Sequence, residues 1–167
     1  VLEAVGEWVG VAVLVAVGGT GVRVAVAVAV GTGLAVAEGR GVGVRRIDHL
    51  NLLAQDVAKI REFMPAALGS RVTEEIQLND GTYGGCWFTV NNKSYDVAYT
   101  RDHTKARGRF HHVTYAVDQR EHVLRAADVF LENGVFIETG PHKHAIQQTF
   151  FLYVDEPAGN RVEVANA

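Results

Sequence analysis

The sequence predicts an α+β domain built from two βαβββ modules, and two observations lead to that fold class. First, the order strand, helix, strand, strand, strand occurs twice along residues 45–167, as modules 45–108 and 109–167. Second, the composition changes near Val44, because 33 of residues 1–44 are Val, Ala or Gly, whereas all seven His, five Tyr and seven Phe lie beyond. We therefore expect one folded domain preceded by a low-complexity segment.

The segment 1–44 contains no clear element. Val22–Val30 alternates Val with other residues, but Val and Ala provide no polar face and Gly interrupts on both sides, so we do not expect a strand. The uncharged stretches on either side of Arg23 are shorter than the roughly 18–20 residues of a membrane-spanning helix, so we expect no membrane span. Our hypothesis is that the segment is disordered or not native to the family of the domain, as an out-of-frame or fragmentary reading of GC-rich DNA would be.

The first module follows from alternation, helical spacing and one turn. Its helix carries Ile60, Phe63, Met64 and Ala67 on one face. Asn79-Asp80-Gly81 is a hairpin sequence between the two strands that follow the helix. The predicted elements are a strand over Ile47–Leu53, a helix over Val57–Leu68, and strands over Arg71–Leu78, Tyr83–Val90 and Ser94–Thr100.

The second module repeats the same order. Asn133-Gly134 closes its helix, as expected at a helix C-terminus. Superposing the modules aligns residues 92–95 with residues 160–163. The predicted elements are a strand over Phe110–Val117, a helix over Arg120–Glu132, and strands over Val135–Thr139, Thr149–Asp155 and Arg161–Ala165.

The same superposition matches His49 with His112, and Tyr95 with Glu163. Neighbouring strand residues point to opposite faces, so His112 rather than His111 shares a cavity with His49. The Glu163 carboxylate stands between two valines and would be costly to bury alone. Two imidazoles and one carboxylate at a common cavity form a three-ligand face for a divalent metal. The alternative to a metal site is that His49 and His112 are core or rim histidines with ordinary hydrogen-bond partners, and that Glu163 is a solvent-exposed residue at a strand edge.

Charge and cysteine content exclude some classes of protein. The net charge of -3 gives no basic surface of the kind that binds nucleic acid, so we expect no nucleic-acid partner. Cys86 is the single cysteine, so no intramolecular disulfide can form and an oxidising compartment is not indicated. A cytoplasmic location is the expectation.

At this point five stretches carry a resemblance to a known family. They are "RIDHLNLL", "GRFHHVTYAV", "LRAADVF", "GPHKH" and "FFLYVDEPAGNRVEV", and the last places Glu163 ten residues after Tyr153. Residues 45–167 resemble the C-terminal catalytic domain of type I extradiol ring-cleaving dioxygenases, the catechol 2,3-dioxygenase group of the vicinal oxygen chelate superfamily. The resemblance implies that the two modules form the half-barrel of the glyoxalase and bleomycin-resistance fold.

The resemblance also implies the metal ligands and the proton-transfer group. His49, His112 and Glu163 match the ligands of Fe(II), with Mn(II) as the alternative metal. The acid/base histidine of the family stands nine residues before the strand tyrosine, which selects His144 rather than His142. Without the resemblance, His144 would be interpreted as an exposed loop histidine.

Two tyrosines complete the implied site. Tyr153 matches the tyrosine that hydrogen-bonds a substrate oxygen, although a buried strand tyrosine with a satisfied hydroxyl is the alternative. Tyr95 stands where many family members carry a histidine before an aspartate, and a phenol donates a hydrogen bond there but is a poor proton shuttle at pH 7. His103 and His142 match nothing in the family and are interpreted as surface loop residues.

The implied function is extradiol cleavage of catechol or a substituted catechol by O2 to a 2-hydroxymuconic semialdehyde. The implied partners are a small aromatic diol, O2 and, in the full-length family, other copies of the chain. Two alternatives remain open. One is another metalloenzyme of the superfamily, such as a glyoxalase-like enzyme, and the other is an inactive fragment, because the N-terminal domain of the family is replaced here by residues 1–44.

Overall fold

The computed structural model describes residues 9–18, 21–30 and 41–167. Within this part of the chain, no helix has the length and the apolar character needed to cross a bilayer. The strands and helices, in chain order, are β1 Val9–Gly18, β2 Gly21–Val30, β3 Arg46–Ala54, α1 Val57–Leu68, β4 Arg71–Gln77, β5 Tyr83–Thr89, β6 Val97–Arg101, β7 Arg109–Ala116, α2 Arg120–Glu132, β8 Ile137–Lys143, β9 Phe150–Asp155 and β10 Arg161–Asn166.

The low-complexity segment contains two strands. β1 and β2 pair antiparallel from Val9 with Val30 to Gly18 with Gly21. The expectation that Val22–Val30 forms no strand was therefore wrong. A polar face reports which side of a strand meets water, whereas β-branched Val favours extended backbone whether or not such a face exists. The other residues of segment 1–44, which we expected to be disordered or not native to the family, lie mostly outside the described residues. The domain boundary near Val44 stays a prediction.

The folded domain is one eight-stranded sheet with the order β4-β5-β6-β3-β7-β10-β9-β8. The first strand of each module pairs parallel with the last strand of its own module, and the two first strands pair antiparallel at the centre. His49 pairs with Thr114, and Asn51 pairs with His112. This reciprocal register relates the modules by a pseudo-twofold between β3 and β7. The predicted α+β class and the repeated βαβββ order are confirmed.

Both helices have the predicted bounds, Val57–Leu68 and Arg120–Glu132. Each helix covers the sheet of its own module and closes a separate small core. The buried face of α1 differs from the predicted one, because Val57 and Met64 are buried whereas Phe63 is 57 % exposed. The predicted face was too wide, since it placed Phe63 beside Met64 on the buried side.

Two strands of the domain, β6 and β8, differ from their predicted bounds by more than one residue, and each does so for a local reason. β6 begins at Val97 because the three residues before it belong to a loop in which the Asp96 carboxylate accepts hydrogen bonds from Thr89 and the Val90 amide. β8 runs on through Gly140 and a proline to residue 143. Pro is tolerated there because β8 is an edge strand. Gly140 is required by close packing, since a Cβ at that position would lie 2.6 Å from a backbone oxygen of β9.

Candidate metal centre

The three predicted ligands meet on the two central strands and β10. His49 Nε2 lies 3.2 Å from Glu163 Oε2, His112 Nε2 lies 3.3 Å from the same oxygen, and the two Nε2 atoms are 3.4 Å apart. The sheet register explains the cluster, because Thr114 pairs both with His49 on β3 and with Glu163 on β10. All three ligand residues are at most 3 % exposed. The three side chains predicted as ligands thus lie together in the structure.

The donor set fits a divalent metal ion. Bonds of about 2.0–2.2 Å at right angles separate neighbouring donors by roughly 3 Å, which is close to the three distances observed. A carboxylate with no exposed surface is costly to bury without a compensating positive charge. Among the described residues, the ion-pair partners of Glu163 are histidines only. Two imidazoles and a carboxylate on one side also leave the opposite side free for other ligands.

The electrostatics of the cluster favour a charged carboxylate. Burial by itself would raise the pKa of Glu163, but hydrogen bonds from His112, His144 and His49 hold that pKa well below its usual range. Burial lowers the pKa of His112 despite the nearby Glu163. Burial would also lower the pKa of His49, but Asp48 and Glu163 outweigh it and raise that pKa. Glu163 is therefore an anion at neutral pH, as a metal ligand must be.

The predicted proton-transfer residues lie beside the same carboxylate. His144 Nε2 is 3.0 Å from Glu163 Oε1, and the Tyr153 hydroxyl is 3.3 Å from His144 Nε2. The His144 ring is stacked on Phe151, with centroids 3.5 Å apart and an interplanar angle of 4°. His144 is partly exposed, whereas Tyr153 is buried. The stacking fixes the ring so that one edge faces the cluster and the other faces outward.

Tyr95 reaches the cluster from the loop before β6. Its hydroxyl is 3.3 Å from His49 Nε2, and the two ring centroids are 4.3 Å apart. The predicted equivalence of Tyr95 with Glu163 was wrong in register. Asn51 and Thr114 are equivalent residues of the two modules. Asn51 pairs with Ala98 and Thr114 pairs with Glu163, so Ala98 occupies the position that corresponds to Glu163. Tyr95 faces the cavity because the loop, rather than the strand, directs it there.

Comparison with known proteins places this site in a family. Residues 46–164 match the model of the Glyoxalase/Bleomycin resistance protein/Dioxygenase superfamily. The chain belongs to this superfamily. The match covers both modules and includes all three members of the cluster. The superfamily assignment inferred from the five sequence stretches is confirmed.

The similar proteins within the superfamily are ring-cleaving dioxygenases. The chain is 36 % identical over 123 residues to a metapyrocatechase of Geobacillus stearothermophilus, covering 74 % of this chain and 37 % of that protein. It is 36 % identical over 125 residues to a manganese-dependent 2,3-dihydroxybiphenyl 1,2-dioxygenase of Geobacillus genomosp. 3, covering 74 % and 40 %. The chain thus matches less than half the length of these relatives.

Solved structures in the superfamily agree with the fold. A 2,3-dioxygenase from Pseudomonas sp. KL28 has a TM-score of 0.71 at 28 % identity, over 75 % of this chain and 43 % of that one. Homoprotocatechuate 2,3-dioxygenase from Brevibacterium fuscum, in complex with 3,4-dihydroxyphenylacetate, has a TM-score of 0.66 at 30 % identity, over 74 % and 38 %. The common part is the eight-stranded domain.

The other histidines lie outside the cluster of donors. His111 Nδ1 is 2.6 Å from His112 Nδ1, on the side of the His112 ring away from Glu163. Burial lowers the pKa of His111 to about 4, so its ring is neutral at pH 7. His142 and His103 are exposed. His111 lies apart from the three donor residues, as strand alternation predicts. Its contact with His112 was not predicted.

Sequence analysis missed two polar residues of the cluster. Thr114 Oγ1 is 2.8 Å from His49 Nε2 and donates to Glu163 Oε2. Asp48 Oδ2 is 3.0 Å from His49 Nδ1. Thr114 could have been found from its position two residues after His112, on the same face of the strand. Asp48 could not, because alternation predicts that it points away from His49.

Proposed function

We propose that this domain carries the catalytic centre of an extradiol dioxygenase, with His49, His112 and Glu163 as ligands of Fe(II). The substrate is catechol or a substituted catechol, and the product with O2 is a 2-hydroxymuconic semialdehyde. The supporting observation is the buried cluster of two imidazoles and one carboxylate, whose donor atoms all lie within 4.8 Å of one another, in a domain similar to proteins named as ring-cleaving dioxygenases. Mn(II) is the alternative metal, because one of these relatives is manganese-dependent.

The bound metal would supply the positive charge that lets a catechol hydroxyl bind as an anion, together with coordination positions for the two reactants. The protein supplies the surrounding groups. Burial raises the pKa of Tyr153, and the Glu163 carboxylate adds to that effect, so its hydroxyl stays protonated and donates a hydrogen bond. A phenol donor beside the cluster orients one substrate oxygen without contributing charge.

His144 is the proposed proton carrier. Its Nε2 atom faces Glu163 Oε1 and the Tyr153 hydroxyl, while the ring is held by Phe151. An imidazole both donates and accepts a proton through its two nitrogens, as ring cleavage requires. Its partial exposure connects the buried centre with solvent. In this proposal His144 is not a ligand, so its loss slows turnover but leaves metal bound.

Tyr95 is the proposed donor on the opposite side. Burial raises the pKa of Tyr95, and the carboxylates of Glu163 and Asp48 raise it further, so the phenol remains protonated. Its hydroxyl lies against His49 Nε2, at the metal-facing atom of the ligand. A protonated phenol there would donate a hydrogen bond to a reactant oxygen and so favour negative charge on that oxygen.

Two cavities suit a small aromatic ligand by size, and their positions decide between them. The larger, about 650 Å³, lies at the start of α1 and contains none of the three ligands. The smaller, about 320 Å³, is lined by Asp48, Lys93 and Tyr95 and by residues 147–149 of the loop after His144. None of the three proposed ligands lines either cavity, but we propose that catechol reaches the centre through the smaller one, because Tyr95 lines it.

Oxygen consumption tests the proposal. The full chain loaded with Fe(II) should consume O2 when catechol is added and form a yellow product, and Mn(II) loading should be compared in parallel. His49→Ala should remove the activity, because one ligand is lost. A chain that binds metal but consumes no O2 with any catechol would contradict the proposed reaction and favour an inactive fragment or another metalloenzyme of the superfamily. Homo-oligomer formation and cytoplasmic location stay predictions.

A further inference from the structure

A β-bulge places Asp48 next to the ligand that follows it. The register between β3 and β7 passes from Ile47 to His49, so Asp48 has no partner across the ladder. A bulged residue is re-aimed relative to the normal alternation of faces. Asp48 and His49 are both buried, and Asp48 Oδ2 lies 3.0 Å from His49 Nδ1. The bulge thus explains how two consecutive residues contact one another at the centre.

The second module has a corresponding contact at the corresponding place. His111 precedes the ligand His112, and the Nδ1 atoms of the two rings are 2.6 Å apart. Because His49 and His112 are related by the pseudo-twofold, Asp48 and His111 are related as well. In both modules the residue before the ligand therefore contacts the Nδ1 atom, and in both the Nε2 atom faces Glu163.

A basic side chain from the same module holds each of these two residues. Lys93 Nζ lies 3.4 Å from Asp48 Oδ1 and donates to the Asp48 carbonyl. Arg161 Nη1 lies 3.3 Å from His111 Nδ1 and 3.1 Å from His111 Nε2. The strand pairing matches Arg161 with Asp96, so Lys93 and Arg161 are not equivalent positions of the two modules. Each residue before a proposed ligand nevertheless contacts a basic side chain of its own module.

We infer that Asp48 and His111 are positioning residues that fix the ring orientation and tautomer of His49 and His112. An imidazole binds a metal through one nitrogen only if the other carries the proton, and a partner that accepts this N–H selects that tautomer. The Asp48 carboxylate accepts from His49 Nδ1. In the second module we assign the N–H between the two rings to His112 Nδ1, so that His111 Nδ1 is the acceptor. The inference rests on the proposed metal centre, and it goes further because it assigns two residues that are not ligands.

The two supports differ in chemistry, and the difference sets the expected size of each effect. Asp48 is an anion when it accepts from His49, whereas His111 is a neutral acceptor. Hydrogen bonds to a charged partner are roughly twice as strong as those between neutral groups. Removing an outer partner of a metal ligand commonly weakens metal binding by about 10- to 100-fold. We expect Asp48→Ala to fall near the upper part of that range and His111→Ala near the lower part.

Titration of the metal-free full chain with Mn(II), followed by electron paramagnetic resonance, tests this inference without depending on activity. Asp48→Asn and His111→Asn each keep an oxygen that can accept the N–H, so both should bind Mn(II) more tightly than the corresponding Ala variants. Asp128→Asn on the exposed side of α2 is the control and should bind like the wild type. Circular dichroism on each sample shows whether the fold is kept, and the isosteric Asp48→Asn variant covers the case in which Asp48→Ala does not fold.

The outcomes separate the two proposals. Wild-type affinity in folded Asp48→Ala and His111→Ala variants overturns the inference but leaves the metal centre intact. A wild-type chain that binds neither Mn(II) nor Fe(II) overturns both. Weakened binding in the Ala variants, with partial recovery in the Asn variants and an unchanged circular dichroism spectrum in both, supports the positioning roles.

Discussion

The two modules share one topology but contribute unequally to the centre. The first module provides one proposed ligand, His49, whereas the second provides the proposed ligands His112 and Glu163 and the neighbouring His144. The position of the first module that is matched to Glu163 holds Ala98, which is 1 % exposed. The pseudo-twofold therefore determines where a side chain can point, and the residue type at each position determines whether it can bind a metal. An asymmetric site arises on a symmetric sheet by substitution rather than by refolding.

The largest expected effect tests that asymmetry at the matched pair. Glu163→Ala should abolish binding of Mn(II) or Fe(II), because it removes the only anionic ligand from the cluster. Ala98→Gly, at the matched position of the first module, should leave metal binding unchanged because Ala98 provides no donor atom. Isothermal titration of both folded variants measures the difference. Retention of wild-type affinity by Glu163→Ala would show that the carboxylate is a structural ion-pair partner and not a ligand.

The next effect concerns His144, the proposed proton carrier in the second module. His144→Phe should retain metal while turnover falls by on the order of 10²- to 10⁴-fold, the range for a lost general acid. His142→Phe, two residues earlier and exposed, should be nearly silent. Steady-state oxygen uptake together with metal analysis separates the two variants. If both variants lost activity equally, a general disturbance of this segment and not the loss of proton transfer at His144 would account for the effect.

A smaller effect is expected at the phenol of the first module. Tyr95→Phe removes the hydroxyl that lies 3.3 Å from His49 Nε2 and should raise the barrier by about 1 to 3 kcal/mol, since the reactant oxygen loses a buried hydrogen-bond donor. Tyr95→His should preserve or raise activity, because imidazole can both donate and accept a proton there. Single-turnover oxygen kinetics provide the measurement. Wild-type rates in Tyr95→Phe would mean that Tyr95 only lines the cavity and donates no hydrogen bond that matters for the reaction.

Much of this site could be predicted because its elements carry local signals. The helix over Val57–Leu68 was predicted from apolar spacing, and the structure shows a capping residue at each end. The Asp56 carboxylate accepts from the Lys59 amide, and Gly69 adopts φ 65° at the C-terminus. These are the ordinary start and stop signals of a helix. The ligand histidines followed from the repeat itself, since two equivalent first strands must lie at equivalent places. Internal symmetry therefore brought the two histidines together, whereas the resemblance to the dioxygenase family was needed to choose the three residues as metal ligands.

The contacts that sequence analysis missed depend on pairing between distant strands. The bulge that directs Asp48 toward His49 forms where β3 pairs with β7. The sequence around Asp48 contains no signal that predicts this bulge. Tyr95 was assigned to a strand, but the hydrogen bonds of Asp96 hold that region as a loop and shift its register by three residues against Ala98. A slip of register changes the face of every side chain, which is why strand register is harder to predict than helix bounds.

The smallest expected effect compares how the two helices begin. The N-cap of α1 is Asp56, which makes a side-chain hydrogen bond to a free amide, whereas the N-cap of α2 is Gln119, which makes none. Gln119→Ser should therefore stabilise the domain by about 0.5–1 kcal/mol, because a short hydroxyl side chain reaches the unpaired amides of the first turn. Asp56→Ala is the opposite change in the other module and should lower the melting temperature. Thermal unfolding by circular dichroism measures both. The contrary outcome is a Gln119→Ser variant no more stable than the wild type, together with a destabilised Asp56→Ala variant. It would mean that water already hydrogen-bonds the free amides in the first turn of α2. The modules would then differ in capping without differing in stability.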